Sequence, residues 1–156
     1  MLNFSALKSF LLKAKVATYA SGESAIKQKE KDGSTTLTFT QGDFLYHDNY
    51  FGGEPYGGRE VVFYQGKPLY LMTYYGWVNQ NPQPVQEIYE VLQAALRAMP
   101  ADYPYRGPQL LVQGDYEYHN NWQGEVDNFQ GSEFITYHGQ EVYCAQYMGG
   151  LVDQKF

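Results

Sequence analysis

Apolar side chains recur at spacings of three and four in two stretches of the chain, which predicts two amphipathic helices. The first helix has Asn3 or Ser5 as its capping residue and is expected to end near Thr18. The second is expected to begin at Pro84, since proline is favoured at a first helical position, and its apolar stripe ends at Met99. Both helices are predicted to bury one apolar face.

Elsewhere apolar and polar residues alternate with a period of two, which predicts β-strands. Two short turns containing Gly66 and Gly139 each separate a pair of predicted strands, so each turn is expected to close an antiparallel hairpin. The predicted strands cover residues 35–40, 44–49, 60–64, 69–75, 109–112, 116–121, 133–137 and 141–148. A Gly-rich segment, 52–58, is interpreted as a tight connection between two of them.

One segment of the chain occurs twice in altered form. Residues 41–53 and 113–125 are identical at seven of thirteen positions, and the similarity continues downstream with one residue inserted. Asp48 in the first segment is matched by Asn120 in the second. This match predicts an internal repeat.

The pattern therefore predicts an α+β fold. We expect two tandem helix-then-strands repeats, at about 3–78 and 84–152, related by a pseudo-twofold axis within one domain, 1–156. Both helices would pack on a largely antiparallel sheet, because each half is too small to bury its own apolar faces. Two adjoining sheets are the alternative.

Composition narrows the class of partner. The chain has 156 residues and a net charge of −6, which argues against nucleic acid, because phosphate neutralisation needs clustered lysine and arginine. Cys144 is the single cysteine, so neither an internal disulfide nor a cysteine-built metal site is expected. No apolar run has the length of a membrane span, and we expect a soluble, cytoplasmic protein with no membrane partner. No cofactor is predicted.

Several short motifs resemble a bacterial family of unknown function whose members occur alone or behind helix-turn-helix regulators. The motifs are Tyr50-Phe51-Gly52-Gly53-Glu54, Gly58-Arg59-Glu60, Gly66-Lys67-Pro68, Tyr74-Tyr75-Gly76 and Tyr105-Arg106-Gly107-Pro108, and the resemblance covers nearly the whole chain. Tyr70 departs from the pattern, where tryptophan is usual. The resemblance implies no activity and, through the regulators, at most a sensing or binding role.

Three carboxylates of the first half, Asp48, Glu54 and Glu60, form a cluster in the sequence pattern with several tyrosines nearby. Where matched segments diverge in charge, as at Asp48, one half can have kept a function. Arg106 is interpreted in two ways, either as a clamp for an anionic group or as the partner of an acid that fixes its loop. The predicted ligand-binding residues are Tyr46, Asp48, Tyr50, Glu60, Tyr74, Tyr75 and Arg106.

Two further features have a functional and a structural interpretation. His47 and His119 occupy matched positions and either meet as metal ligands or lie apart as strand residues; the second interpretation is preferred, and no metal site is predicted. The small, charged segment 21–34 is either a flap over a site or a simple loop.

Three functions are compatible with the sequence. The first is binding of a small molecule or peptide in a tyrosine-lined groove where the halves meet, since tyrosine is common at binding surfaces. The second is a protein-interaction module or homodimer that uses exposed tyrosines. The third is a hydrolase that uses Asp48 and Glu60, because acid-base catalysis needs paired carboxylates in unlike environments.

Overall fold

The architecture comes from a computed structural model that describes residues 3–18, 20, 26–80 and 82–154. Its two α-helices have the positions that the apolar stripes predicted. Helix α1 spans Phe4–Ala17, and helix α2 spans Val85–Arg97. The side chain of Asn3 accepts hydrogen bonds from the backbone N–H groups of Ser5 and Ala6, so Asn3 is the N-cap of α1.

All nine strands of the described residues belong to one antiparallel sheet. Its order is β1-β2-β3-β4-β5-β9-β8-β7-β6. The strands are β1 Gln28–Lys29, β2 Thr35–Gln41, β3 Phe44–Gly52, β4 Tyr56–Tyr64, β5 Lys67–Val78, β6 Leu110–Gln113, β7 Tyr116–Glu125, β8 Asn128–Tyr137 and β9 Gln140–Leu151. The two longest strands, β5 and β9, pair with each other at the centre.

The predicted α+β class is wrong. Over the described residues, the chain is mostly one large nine-stranded antiparallel sheet with two helices of 14 and 13 residues, not two helix-then-strands repeats packed on a sheet. Several glycines that the prediction left outside strands lie inside them, Gly58 in β4 and Gly76 in β5 among them. The strands are therefore longer than predicted, and the sheet, not a helix-containing repeat, is the unit of the fold.

The hairpin turns are confirmed. Gln65 and Gly66 have φ values of 50° and 76°, and His138 and Gly139 have values of 49° and 79°. Positive φ at both central residues is typical of the two-residue turn whose twist matches that of the flanking strands. These turns set the registers of β4 with β5 and of β8 with β9.

Both helices pack on the same face of the sheet. Helix α1 contacts β2 and β3, while α2 contacts β7 and β8. Leu7 and Leu11 of α1 are buried in one core cluster, and Ile88 and Leu92 of α2 are buried in another. Strand residues alternate between the two faces, so the opposite face of the sheet stays without a described helix.

The segment 21–34 contains one element that the sequence did not predict, the two-residue strand β1. Residues 21–25 lie outside the described residues, so the flap interpretation is not addressed there. At the other side of the predicted loop, Ser34 donates through its backbone N–H and its hydroxyl to Asp32 Oδ1, which orders the turn into β2.

Candidate functional site

A cleft of about 220 Å³ lies between helix α2 and the first half of the sheet. Tyrosine rings, leucine side chains and a few charged or amide groups line it. The lining residues are Lys27, Leu37, Asp48, Tyr50, Gly52, Gly53, Tyr56, Tyr74, Tyr89, Leu92, Gln93, Leu96 and Arg106. The cleft is smaller than the pockets that hold drug-sized ligands, about 300–1,000 Å³, so it favours a smaller ligand.

Asp48 is the carboxylate of the cleft. It is 1% exposed, and its Oδ1 accepts a 2.5 Å hydrogen bond from the hydroxyl of Tyr74. Burial, and then the negative charge of Glu60, raise the pKa of Asp48 to about 7. Burial and Asp48 in turn raise the pKa of Tyr74 well above its ordinary value, so the phenol stays the donor.

Arg106 belongs to a buried polar network at the edge of the cleft. Its Nε and Nη2 donate to Glu133 Oε1 at 3.1 and 2.6 Å, and Nη2 also lies 3.1 Å from the hydroxyl oxygen of Tyr56. Tyr118 donates to the other oxygen of Glu133, at 2.5 Å. Of the two interpretations of Arg106, the geometry therefore shows the one in which it pairs with an acid.

A second buried ion pair lies nearby, between helix α1 and strand β4. Lys15 Nζ is 2.9 Å from Glu60 Oε2, and both side chains are 0% exposed. Lys15 also donates to the backbone carbonyl of Tyr105 at 2.8 Å. Burial lowers the pKa of Lys15, and Glu60 opposes that shift. Glu60 therefore forms its ion pair with Lys15 of helix α1 and does not line the cleft.

The structure separates the seven predicted site residues. Four of them, Asp48, Tyr50, Tyr74 and Arg106, line the cleft. Tyr46 and Glu60 are fully buried and do not line it. Tyr75 follows Tyr74 in β5, so its side chain points to the opposite face of the sheet and is 54% exposed.

Helix α2 supplies a wall that sequence reasoning missed. The hydroxyl of Tyr89 donates to the carbonyl of Gly53 at 3.0 Å and to Glu54 Oε2, which ties the helix to the connection between β3 and β4. Gln93 lines the cleft, and its Oε1 is buried with no hydrogen-bond donor among the described residues. Both residues are polar positions close to the apolar stripe of the predicted helix, which is the signal that could have identified them.

Lys15 was also missed, although the sequence carried a signal. It lies four residues after Leu11 and next to Ala14, both of which belong to the buried face of α1. A lysine on the apolar stripe of a helix must either reach solvent or find a buried anion. Here it finds Glu60.

The matched histidines do not meet. His47 lies in β3 and His119 in β7, and four other strands separate them in the sheet. Within the described parts of the chain, no group of three histidine, cysteine, aspartate or glutamate side chains could hold a metal ion. Neither described helix is long and apolar enough to cross a membrane.

Fold and site together define a small β-sheet domain with a tyrosine-lined cleft under one helix. The chain belongs to the family described as a domain of unknown function (DUF5680), whose family model matches residues 48–152. The prediction of a domain of unknown function is confirmed to this extent, while the defining motif, the bacterial occurrence and the fusion to regulators stay predictions. No curated protein and no solved structure matches the chain.

Proposed function

We propose that this domain binds a small molecule in the tyrosine-lined cleft between helix α2 and the sheet. The observation that carries the proposal is the composition of this cleft: four tyrosines, three leucines and the buried Asp48 surround about 220 Å³ of space. Clefts with apolar walls and a few converging polar groups are the usual form of small-molecule sites. The size favours a small molecule over a peptide.

The rigidity of the walls supports the proposal. Tyr56 is held by hydrogen bonds to Tyr143 and Arg106, and Tyr74 by its bond to Asp48. Tyr89 is held by the carbonyl of Gly53. Side chains that are ordered before binding lose little conformational entropy when a ligand arrives, so less of the interaction energy is lost.

The test is a fragment screen by protein-observed NMR with methyl labelling. Leu37, Leu92 and Leu96 report on the cleft, and Met148, which is 60% exposed on the other face, is the internal control. We expect hits that shift the three leucine methyl resonances and leave Met148 unchanged. A screen in which no fragment shifts the leucine methyl resonances would contradict the proposal.

A second candidate function is self-association through the opposite face of the sheet. Tyr75 and Met148 are 54% and 60% exposed there and line a shallow groove of about 820 Å³. Exposed aromatic and methionine side chains are enriched at protein interfaces. A molar mass that rises with concentration in light scattering, and that Tyr75→Ser together with Met148→Ser returns to one chain, would favour this candidate.

The hydrolase alternative finds less support. Asp48 and Glu60 are register partners on β3 and β4, but Glu60 is paired with Lys15 under the sheet. A pair of carboxylates that serves acid-base catalysis has to reach one reacting group. Only Asp48 of these two lines the cleft.

A further inference from the structure

Asp48 differs from the buried charged side chains around it, because they form ion pairs with one another. Lys15 is paired with Glu60, and Arg106 is paired with Glu133. Among the described residues no lysine, arginine or histidine forms an ion pair with Asp48. When all five groups are ionised, the two pairs cancel and the charge of Asp48 remains.

Charged and polar side chains approach Asp48 from several elements. Helix α1 contributes Lys15, β4 contributes Glu60, β5 contributes Tyr74, and the segment after α2 contributes Arg106. The register neighbour on β2 is apolar Leu37. Helix α2 adds uncharged side chains to the cleft, namely Tyr89, Leu92, Gln93 and Leu96. The segment before β1 adds Lys27, an exposed lysine at the cleft that forms no ion pair with Asp48.

The matched position in the second half is Asn120, whose side-chain oxygen and nitrogen both form hydrogen bonds within the protein. Asn120 Oδ1 accepts from the hydroxyl of Tyr147 at 2.7 Å, as Asp48 accepts from Tyr74. The amide nitrogen of Asn120 then donates to the carbonyl of Gly107 at 2.8 Å. At the matched position, Asp48 has a carboxylate in place of this amide, and the carboxylate lines the cleft.

The other buried polar atoms of the cleft also favour a ligand that donates hydrogen bonds. Gln93 Oε1 is a buried acceptor without a donor among the described residues. The donors on Arg106 Nε and Nη2 are occupied by Glu133 and Tyr56. Tyr50 and Tyr89 line the cleft, and the face of a tyrosine ring is an electron-rich surface on which an organic cation packs well.

We propose that the ligand of this cleft is a small organic cation, a primary amine or amidine on an aromatic or aliphatic body. Its N–H groups donate to Asp48 and to Gln93 Oε1, and its apolar body packs against the tyrosine and leucine walls. This inference rests on the binding function proposed above. It specifies the class of ligand that the cleft binds and names Asp48 as the group that pairs with the charge of the ligand.

The charge of Asp48 makes the binding depend on pH. Because burial and Glu60 raise the pKa of Asp48 to about 7, the carboxyl carries a proton in acidic solution and has to lose it to pair with a cation. Below this pKa, each fall of one pH unit then weakens cation binding by about tenfold, since the cation has to displace one proton from Asp48. Above its pKa the affinity levels off.

Three probes of the same shape and different charge test the inference on the full chain: benzylamine, benzyl alcohol and benzoate. Their dissociation constants are measured from the methyl resonances of Leu92 and Leu96 between about pH 5 and pH 8. Near pH 8 we expect benzylamine to bind at least about tenfold more tightly than benzyl alcohol, since a charge-assisted hydrogen bond is stronger than a neutral one. Its affinity should fall by about tenfold between pH 6 and pH 5.

The variant Asp48→Asn separates the charge from the shape of the cleft. The asparagine can accept from Tyr74 as Asn120 accepts from Tyr147. We expect it to reduce the preference for benzylamine over benzyl alcohol to less than about twofold and to remove the pH dependence. The pH profile of the unmodified protein tests the inference without this variant.

Each outcome decides between the two proposals. Equal binding of the three probes, tighter binding of benzoate or a pH-independent affinity for benzylamine would overturn the cation and leave the binding site in place. If no probe shifts the leucine methyl resonances at any pH, the cation is contradicted, and the fragment screen described above decides the binding function separately. Preference for benzylamine that Asp48→Asn removes supports both.

Discussion

The hydroxyl of Tyr74 donates a 2.5 Å hydrogen bond to Oδ1 of Asp48, across the strand that separates β5 from β3. The bond holds the only carboxylate among the lining residues in a fixed position at the cleft wall. It keeps one oxygen of Asp48 satisfied without neutralising its charge. The site therefore combines order with an uncompensated acid, which is costly in a folded protein and is common at functional sites.

The first prediction concerns stability as a function of pH. The pKa of Asp48 is raised from 3.8 to about 7 on folding, so the folded chain binds this proton more tightly than the unfolded chain does. Its contribution to the free energy of unfolding is therefore full below about pH 4, falls as the pH rises and levels off above about pH 7.

Asp48→Asn removes this dependence. Relative to the unmodified protein, the free energy of unfolding of the variant should gain about 2–3 kcal/mol between about pH 5 and pH 8. Urea unfolding of both proteins at the two pH values gives the difference, in which the contributions of other groups cancel. A difference that does not change with pH would contradict the raised pKa.

The second prediction concerns the buried pair between α1 and β4. Lys15→Met leaves Glu60 as an unpaired buried carboxylate and should lower the free energy of unfolding by about 3–5 kcal/mol. Lys13→Met is the matched control, since Lys13 is exposed on the same helix, and it should change the free energy by less than about 0.5 kcal/mol.

Removing both charges distinguishes loss of the pair from loss of packing. The double variant Lys15→Met with Glu60→Leu should recover most of the stability that Lys15→Met loses, because no buried charge is left without a partner. Urea unfolding of the set measures the coupling. Equal losses in the single and the double variant would show that the Lys15 side chain acts through packing alone.

The third prediction concerns the geometry of the Arg106 network. Arg106→Lys keeps the charge but cannot place two donors on Glu133 and a third interaction on Tyr56. We expect a loss of about 1.5–3 kcal/mol in the free energy of unfolding, the range for hydrogen bonds to charged groups. Arg59→Lys, at an exposed position of β4, is the control and should be nearly neutral. Equal effects of the two substitutions would contradict the role of the two guanidinium donors that Arg106 places on Glu133.

The fourth prediction concerns the close approach of β3 and β4 beside the cleft. A Cβ atom at Gly58 would lie 2.4 Å from the backbone oxygen of Asn49 and 2.7 Å from Cβ of Tyr50, so no side-chain rotation relieves the overlap. Gly58→Ala should therefore cost about 1–3 kcal/mol in unfolding free energy. Gly53→Ala, where a Cβ meets no atom within 4 Å, should cost far less, and thermal unfolding of both variants gives the comparison.

Part of the candidate site could be predicted from the sequence. Asp48 stood out because its matched position is Asn120, and Tyr50 and Tyr74 lay near it in the motif pattern; all three line the cleft with Arg106. Neighbouring Tyr75 lies on the opposite face of the sheet from Tyr74, since adjacent strand residues face opposite sides.

The partners of the buried charges could not be predicted. Lys15 and Glu60 are 45 positions apart in the chain, and the hydroxyl groups of Tyr56 and Tyr143, 87 positions apart, lie within hydrogen-bond distance. Such contacts depend on the position of α1 over the sheet and on the pairing of β5 with β9. Local periodicity carries no information on either.

The sequence by itself determined the local structure: the two helices with their buried stripes, the hairpin turns at Gly66 and Gly139, and the alternation of the strands. Each of these follows from backbone preferences and spacing within a few residues. Only the tertiary structure decided that all the described strands join one sheet and that both helices cover the same face. Strand pairing is a choice among many edges of similar hydrogen-bonding capacity, and the burial of the whole chain makes that choice.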